Sequence, residues 1–361
     1  MSNYFDIKDL KINFETSEGI KNVININKLN LYKGETFGIV GESGSGKSVL
    51  AMSILRILPS PPAFIESGKI IFKEQNLLSL KEKEIQKIRG REISMIFQDP
   101  MSTLNPVFTV GQQIMNVVRH NKHLNKEDAK KEALRIIKLV KLPDAKNTLY
   151  KYPNELSGGQ RQRIIIAIAL SCGAELLIAD EPTRNLDVTI QAGVLKLIDE
   201  LRKELGVTVL FIANNVNLVF IVSDKVAVLY RGKIIEVGTS QEIKREPIHP
   251  YTRRLLGITP VDREISNLIE ADFKKEISPD DFACSYFCKC EKRIEICDAC
   301  EFKQGIPVGP GIEVYRCKVC GCALKGKIFT EHTYLNKGGS CPKEKWKNVE
   351  QEWLDKNKKI I

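Results

Sequence analysis

Gly41-Glu42-Ser43-Gly44-Ser45-Gly46-Lys47-Ser48 is the stretch whose residue types most clearly prescribe chemistry. An apolar run, 37–40, precedes it and an amphipathic stretch follows, so strand, loop and helix are expected in that order. This is the setting that a phosphate-binding loop needs. Glycines let backbone N–H groups turn toward an anion, and the helix N-terminus adds the positive end of its dipole. Lys47 can then reach the outer phosphates of a nucleotide, and the Ser48 hydroxyl can ligate Mg²⁺.

Far downstream, "ELLIADEP" reads as a buried strand ending at Asp180 and Glu181. Beside a phosphate loop, the first carboxylate can hold Mg²⁺ through water and the second can polarise an attacking water as general base. Gln98 follows another apolar strand in "MIFQDPMSTLNP", where its amide can reach a metal or a water. "LSGGQRQRIIIAIAL" places Ser157-Gly158-Gly159-Gln160 at the start of an apolar helix. Free N–H groups and a hydroxyl there make a second anion-reading surface.

These residues need a large scaffold to hold them. The chain has 361 residues, 43% of them hydrophobic and 28% charged, an ordinary balance for a globular protein with room for two domains. No apolar run is long enough to span a membrane, and "MSNYFDIKDLKINF" lacks the basic head and apolar stretch of a secretory signal. The net charge of +10, with lysines crowded toward the end, reads as a solvated basic tail, and no nucleic-acid partner is expected. Of the ten cysteines, Cys172 stands alone and the rest lie between Cys284 and Cys341, a composition shift that marks a domain boundary. Clustered thiols without a secretory signal more often hold metal than form disulfides.

Taken together, residues 41–48, Gln98, 156–160, Asp180-Glu181 and "NLD" at 185–187 resemble the nucleotide-binding subunit of an ATP-binding cassette (ABC) transporter, over about residues 4–257. Within that family "STLNP", "DEPTRNLDVTIQA" and "HPYTRRLL" (249–256) resemble the dipeptide, oligopeptide and nickel importer branch. The resemblance implies an α/β fold: a phosphate-loop NTPase core with a mixed β-sheet (1–258) and a helical subdomain inserted at about 99–172, to which composition adds a linker at 259–283 and a small cysteine-rich domain with a basic tail (284–361). It implies ATP and Mg²⁺ as ligands, the ion being held through Ser48, Gln98 and Asp180. It also implies a head-to-tail dimer with a second ABC ATPase subunit, in which Ser157 to Gln160 would act on the partner's ATP and Asp187 would bridge the sites. Phe14 is the candidate for stacking on adenine. Integral-membrane permease subunits would be bound at the cytoplasmic face of the membrane, and an external solute-binding protein would act indirectly. A soluble ABC ATPase without a transporter, or a non-hydrolysing subunit responding to ATP or redox state, would carry the same ATP motifs.

One position departs from the family. Where it has a histidine, commonly within "THD", that contacts the γ-phosphate and orients the catalytic glutamate, this chain reads Ala213-Asn214-Asn215. Asparagine can donate a hydrogen bond but carries no positive charge. With Glu181 and Gln98 kept and Asn214 in place of histidine, slow hydrolysis is expected at this chain's own site, and a partner different from this chain is expected to supply the faster one.

For the cysteines, two readings stand. By spacing, Cys297-x2-Cys300 and Cys317-x2-Cys320 fit a zinc ribbon. By resemblance, Cys284, Cys290, Cys297 and Cys317 match the four thiolates that hold a [4Fe–4S] cluster in some peptide importer ATPases.

Overall fold

A computed structural model describes residues 4–99 and 103–257, and the backbone of two strands at 303–309 and 312–317. The chain divides into two units, one running through Lys244 and the other starting at Arg245.

The first unit begins with β1 (Phe5–Thr16) and β2 (Gly19–Leu31), then β3 (Thr36–Val40) and α1 (Lys47–Ile54). Next come β4 (Ala63–Phe72), β5 (Gln75–Asn76), α2 (Glu82–Ile88) and β6 (Ile93–Ile96). Four helices follow: α3 (Val110–Lys122), α4 (Lys126–Leu139), the short α5 (Ala145–Thr148) and α6 (Gly158–Leu170). The chain returns through β7 (Leu176–Asp180), α7 (Val188–Leu205), β8 (Thr208–Ala213), α8 (Val216–Val222), β9 (Lys225–Tyr230) and β10 (Lys233–Thr239), and α9 (Ser240–Arg245) carries it into the second unit.

The central sheet has the order β10-β9-β3-β8-β7-β6. β3, β8, β7, β6 and β9 run parallel, and β10 is antiparallel at the edge, so the sheet is mixed as the sequence implies. Every residue of β3, β7 and β8 is buried. Their continuous apolar runs are what parallel strands covered on both faces require. A separate antiparallel sheet, β2-β1-β4-β5, was not anticipated from the sequence. Its strands are long and interrupted by polar residues such as Asn13, Asn22 and Asn25, which blurs the alternation that marks a half-buried strand. Asn13 Nδ2 donates to Glu66 at 2.6 Å, and its oxygen accepts from Asn22 at 2.8 Å, so these polar groups are spent inside the sheet.

The two sheets meet at the phosphate loop. The Gly232 N–H donates to the Ser45 carbonyl (2.9 Å), and the Gly232 carbonyl accepts from the Asn25 N–H (2.8 Å), tying the β9–β10 turn to both the loop and β2. Gly232 has φ +80°, and a Cβ there would lie 2.1 Å from the Val23 carbonyl oxygen.

In the second unit, α10 (Pro250–Leu255) starts at "HPYT": Pro250 occupies its first turn, and Nδ1 of His249 accepts the Tyr251 N–H at 3.0 Å. Burial pushes the His249 imidazole down to about 3, so it stays neutral and can accept that bond. The same unit contains the hairpin of β11 (Lys303–Gly309) and β12 (Ile312–Cys317).

Replacing Gly232 by alanine combines an overpacking cost with a left-handed backbone cost. Together these should destabilise the protein by about 2–4 kcal/mol. A urea unfolding midpoint indistinguishable from that of the parent would show that the turn does not clasp β2.

Candidate active site

The parallel strands deliver their carboxyl ends to one edge of the sheet, where open α/β sheets bind ligands. In spatial order, β3 ends in the phosphate loop, β8 in Asn214, β7 in Asp180 and Glu181, and β6 in the segment carrying Gln98. Register fixes the alignment: Val40 pairs with Ala213, and Ile212 with Asp180. Residues scattered over more than a hundred positions of sequence therefore share one edge.

The loop is built by close approach. A Cβ on Gly41 would lie 2.1 Å from the Leu229 carbonyl oxygen, and one on Gly46 (φ +104°) would lie 2.7 Å from Ile24 Cδ1. Ser45 and Lys47 are buried, while Glu42, Ser43 and Gly44 are exposed. The Lys47 ammonium donates to the carbonyls of Gly41 (2.9 Å) and Glu42 (2.8 Å) and to Ser45 Oγ (3.3 Å). Burial lowers its pKa, and the charges of Glu181, Asp180 and Glu42 oppose that shift.

Asp180 is 3% exposed, and its Oδ1 has no hydrogen-bond partner among the described residues. Burial raises its pKa above the ordinary aspartate range, opposed by the Ser48 hydroxyl that bonds the carboxylate. A buried carboxylate oxygen without a partner, next to a serine hydroxyl and with the Gln98 amide on the neighbouring Glu181, is an all-oxygen donor set of the kind a hard divalent cation takes. These residues fit Mg²⁺.

Glu181 is nearly buried and adopts φ +47°. A non-glycine residue held there carries about 1–3 kcal/mol of strain. Its N–H donates to the Ile212 carbonyl (2.8 Å), and its own carbonyl accepts from the Arg184 N–H (3.0 Å), so backbone bonds on both sides impose the conformation. Gln98 Nε2 donates to Glu181 Oε2 at 2.8 Å, and Arg184 Nη1 lies 3.3 Å from the same oxygen. The arginine contact is absent from the sequence reading. The one signal available was its position three residues after the glutamate, across a tight turn.

The two asparagines have different positions and uses. Asn215 is the N-cap of α8 and accepts the Leu218 N–H at 3.3 Å. Asn214 is exposed at the end of β8 and makes no hydrogen bond among the described residues. Ser157 and Gln160 form a reciprocal capping box at the start of α6, each side chain bonding the other's N–H (3.3 and 3.1 Å). Gly159 lets α6 approach α7: a Cβ there would lie 2.6 Å from Ile190 Cγ2. Asp187 caps α7. Among the described residues no hydrogen bond joins 157–160 to the phosphate loop. Phe14 is half-buried on β1, packed against the apolar core.

Cys284, Cys290 and Cys297 lie outside the described residues, and Cys317 is described only as backbone at the end of β12. Among the described residues no group of three or more His, Cys, Asp or Glu side chains could hold a metal ion. No described helix is long and apolar enough to cross a membrane.

Because Asp180 ionises with difficulty, its charge opposes folding of the metal-free protein. The sign follows from linkage: a raised folded-state pKa means stability falls as pH climbs from the unfolded value through the folded one. Asp180→Asn should therefore raise the thermal midpoint of the metal-free protein at neutral pH while weakening Mg²⁺-dependent nucleotide affinity at least about tenfold. A lowered midpoint would show that the carboxylate is satisfied without a cation.

Residues 24–184 match the family model described as ABC transporter. The dipeptide transport ATP-binding protein DppD of Bacillus subtilis is 44% identical over 303 residues, covering 82% of this chain and 90% of that protein. The oligopeptide transport ATP-binding protein OppD of the same organism is 47% identical over 255 residues, 71% of each chain. Among solved structures, the dimeric MJ0796, a bacterial ABC transporter cassette, superposes with a TM-score of 0.58 at 26% identity, covering 65% of this chain and 98% of that one. The chain belongs to the ABC transporter family, as a transport-coupled ATPase of the branch that contains the dipeptide and oligopeptide ATP-binding proteins.

Proposed function

We propose that this chain is the ATP-binding subunit of a peptide importer, and that ATP held by its own phosphate loop is hydrolysed slowly. The importer reading is supported by relatives that are dipeptide and oligopeptide transport proteins. The slow-site reading is carried by one observation. At the strand edge where loop, acids and amide converge, Asn214 stands between the phosphate loop and Asp180 and makes no hydrogen bond among the described residues.

In this reading the loop amides and Lys47 bind the phosphates. Ser48, Asp180 and Gln98 would hold Mg²⁺, which would supply positive charge against the phosphates. Glu181 takes the proton of the attacking water. What the site lacks is a positively charged donor at the end of β8. The loss of one such donor to a transition state commonly costs about 10²–10³ in rate. A head-to-tail dimer, the arrangement implied by family resemblance, would let the α6 N-terminus of this chain serve ATP on a partner subunit. If that partner keeps its histidine, one fast site and one quiet site would drive transport.

The permease reading has support in the fold. A groove of about 370 Å³ opens beside Gln98, lined by Met95, Phe97, Val117, Ile165, Ile168 and Ala169, and Phe97 is 40% exposed. An apolar groove one residue from the amide that bonds the general base suits a short apolar helix of a membrane subunit. Phe97→Glu should reduce co-purification of the chain with its permease subunits severalfold, whereas unchanged recovery would place the docking surface elsewhere.

The central test is ATP turnover by the full chain and by Asn214→His, at protein concentrations high enough to dimerise. The parent is expected to be slow and the variant about 10²-fold faster, with similar nucleotide affinity. A parent as fast as the variant would overturn the slow-site reading and leave an ordinary transport ATPase.

A further inference from the structure

We infer that Arg184 is a positioning residue that restrains the general base Glu181, and that it forms a second brake on this site. The inference rests on the reading of the site as hydrolytic and slow. Glu181 Oε2 receives the Gln98 amide at 2.8 Å and lies 3.3 Å from the Arg184 guanidinium. Both donors thus fall on one oxygen. The pair is set by the backbone, because the Arg184 N–H also bonds the Glu181 carbonyl at 3.0 Å across the turn that holds Glu181 at φ +47°. The Glu181 side chain is 10% exposed and that of Arg184 50%.

A carboxylate works as a base by offering a lone pair to the proton of water. Arginine does not give up its own proton, so a lone pair held by a guanidinium returns to water only when the ion pair breaks. Among the described residues Asn214 makes no bond that could pull the carboxylate the other way, and Gln98 and Arg184 are the side chains that hold its Oε2. In the proposed reading Gln98 would also serve Mg²⁺, so its amide has a second partner to turn to. The Arg184 guanidinium keeps its charge and, in this proposal, stays on the carboxylate. A half-exposed ion pair of this kind is weak, so its release should raise the rate by about two- to sixfold, far less than the effect of the missing histidine.

The experiment compares the parent, Arg184→Ala, Asn214→His and the double variant as full chains, measuring kcat, KM and, separately, Mg–ATP affinity by equilibrium fluorescence. The expected result is a two- to sixfold higher kcat on Arg184→Ala in both the parent and the Asn214→His background. KM and Mg–ATP affinity should stay within about twofold, and Arg184→Lys should hold kcat closer to the parent value. A fall in kcat would overturn the proposal and make Arg184 an aid to the chemistry. An unchanged kcat, or an effect confined to KM, would make it a bystander. The two readings fail separately. Acceleration by Arg184→Ala without acceleration by Asn214→His removes the role of Asn214 and keeps the restraint, and the reverse pattern removes the restraint alone. A double variant without turnover overturns both.

Discussion

The nucleotide edge depends on three backbones lying closer together than side chains allow. The loop at Gly41 presses on the Leu229 carbonyl, Gly46 on Ile24, and Gly232 on the Val23 carbonyl, and the bonds from Gly232 to Ser45 and from Asn25 to Gly232 close the clasp. Close-packed interiors transmit such contacts with little give. The position of Lys47 and Ser48 is therefore set by β2 and the β9–β10 turn as much as by β3 and α1. The antiparallel sheet supplies one wall of the loop and is not a separate decoration.

The second organising fact is the parallel order of β3, β8, β7 and β6. Each strand carries candidate functional residues at or just beyond its carboxyl end, and hydrogen-bond register places those groups side by side without any long-range coordination of loops. Charge is handled unequally along that edge. Asp180 keeps a bare buried oxygen, whereas Glu181 has its Oε2 doubly engaged. In the proposed reading, two adjacent carboxylates are thereby prepared for different work, one to attract a cation and one to take a proton.

Much of this was legible in the sequence, and for identifiable reasons. The fully buried runs of β3 and β7 and the glycine spacing before Lys47 are local signals, and the structure forms strand, loop and helix where those signals lie. Asn215 was harder to read, because an asparagine at a strand end can serve a ligand or cap the next helix, and only the bond to Leu218 decides. The capping box of Ser157 and Gln160 was hidden in the same way behind an anion-site reading. "HPYT" read as a branch marker and turns out to be a helix start, with proline in the first turn and a neutral histidine as cap. The Gly232 clasp was illegible, since a glycine in a turn gives no sign of which distant carbonyl it must admit.

Lys47 has one property with kinetic meaning. Its ammonium makes three bonds inside the loop, to the carbonyls of Gly41 and Glu42 and to Ser45 Oγ. Capture of a nucleotide then becomes an exchange of partners, carbonyl for phosphate, at a lysine already in place. The rate of capture then depends on how readily those oxygens give up the ammonium.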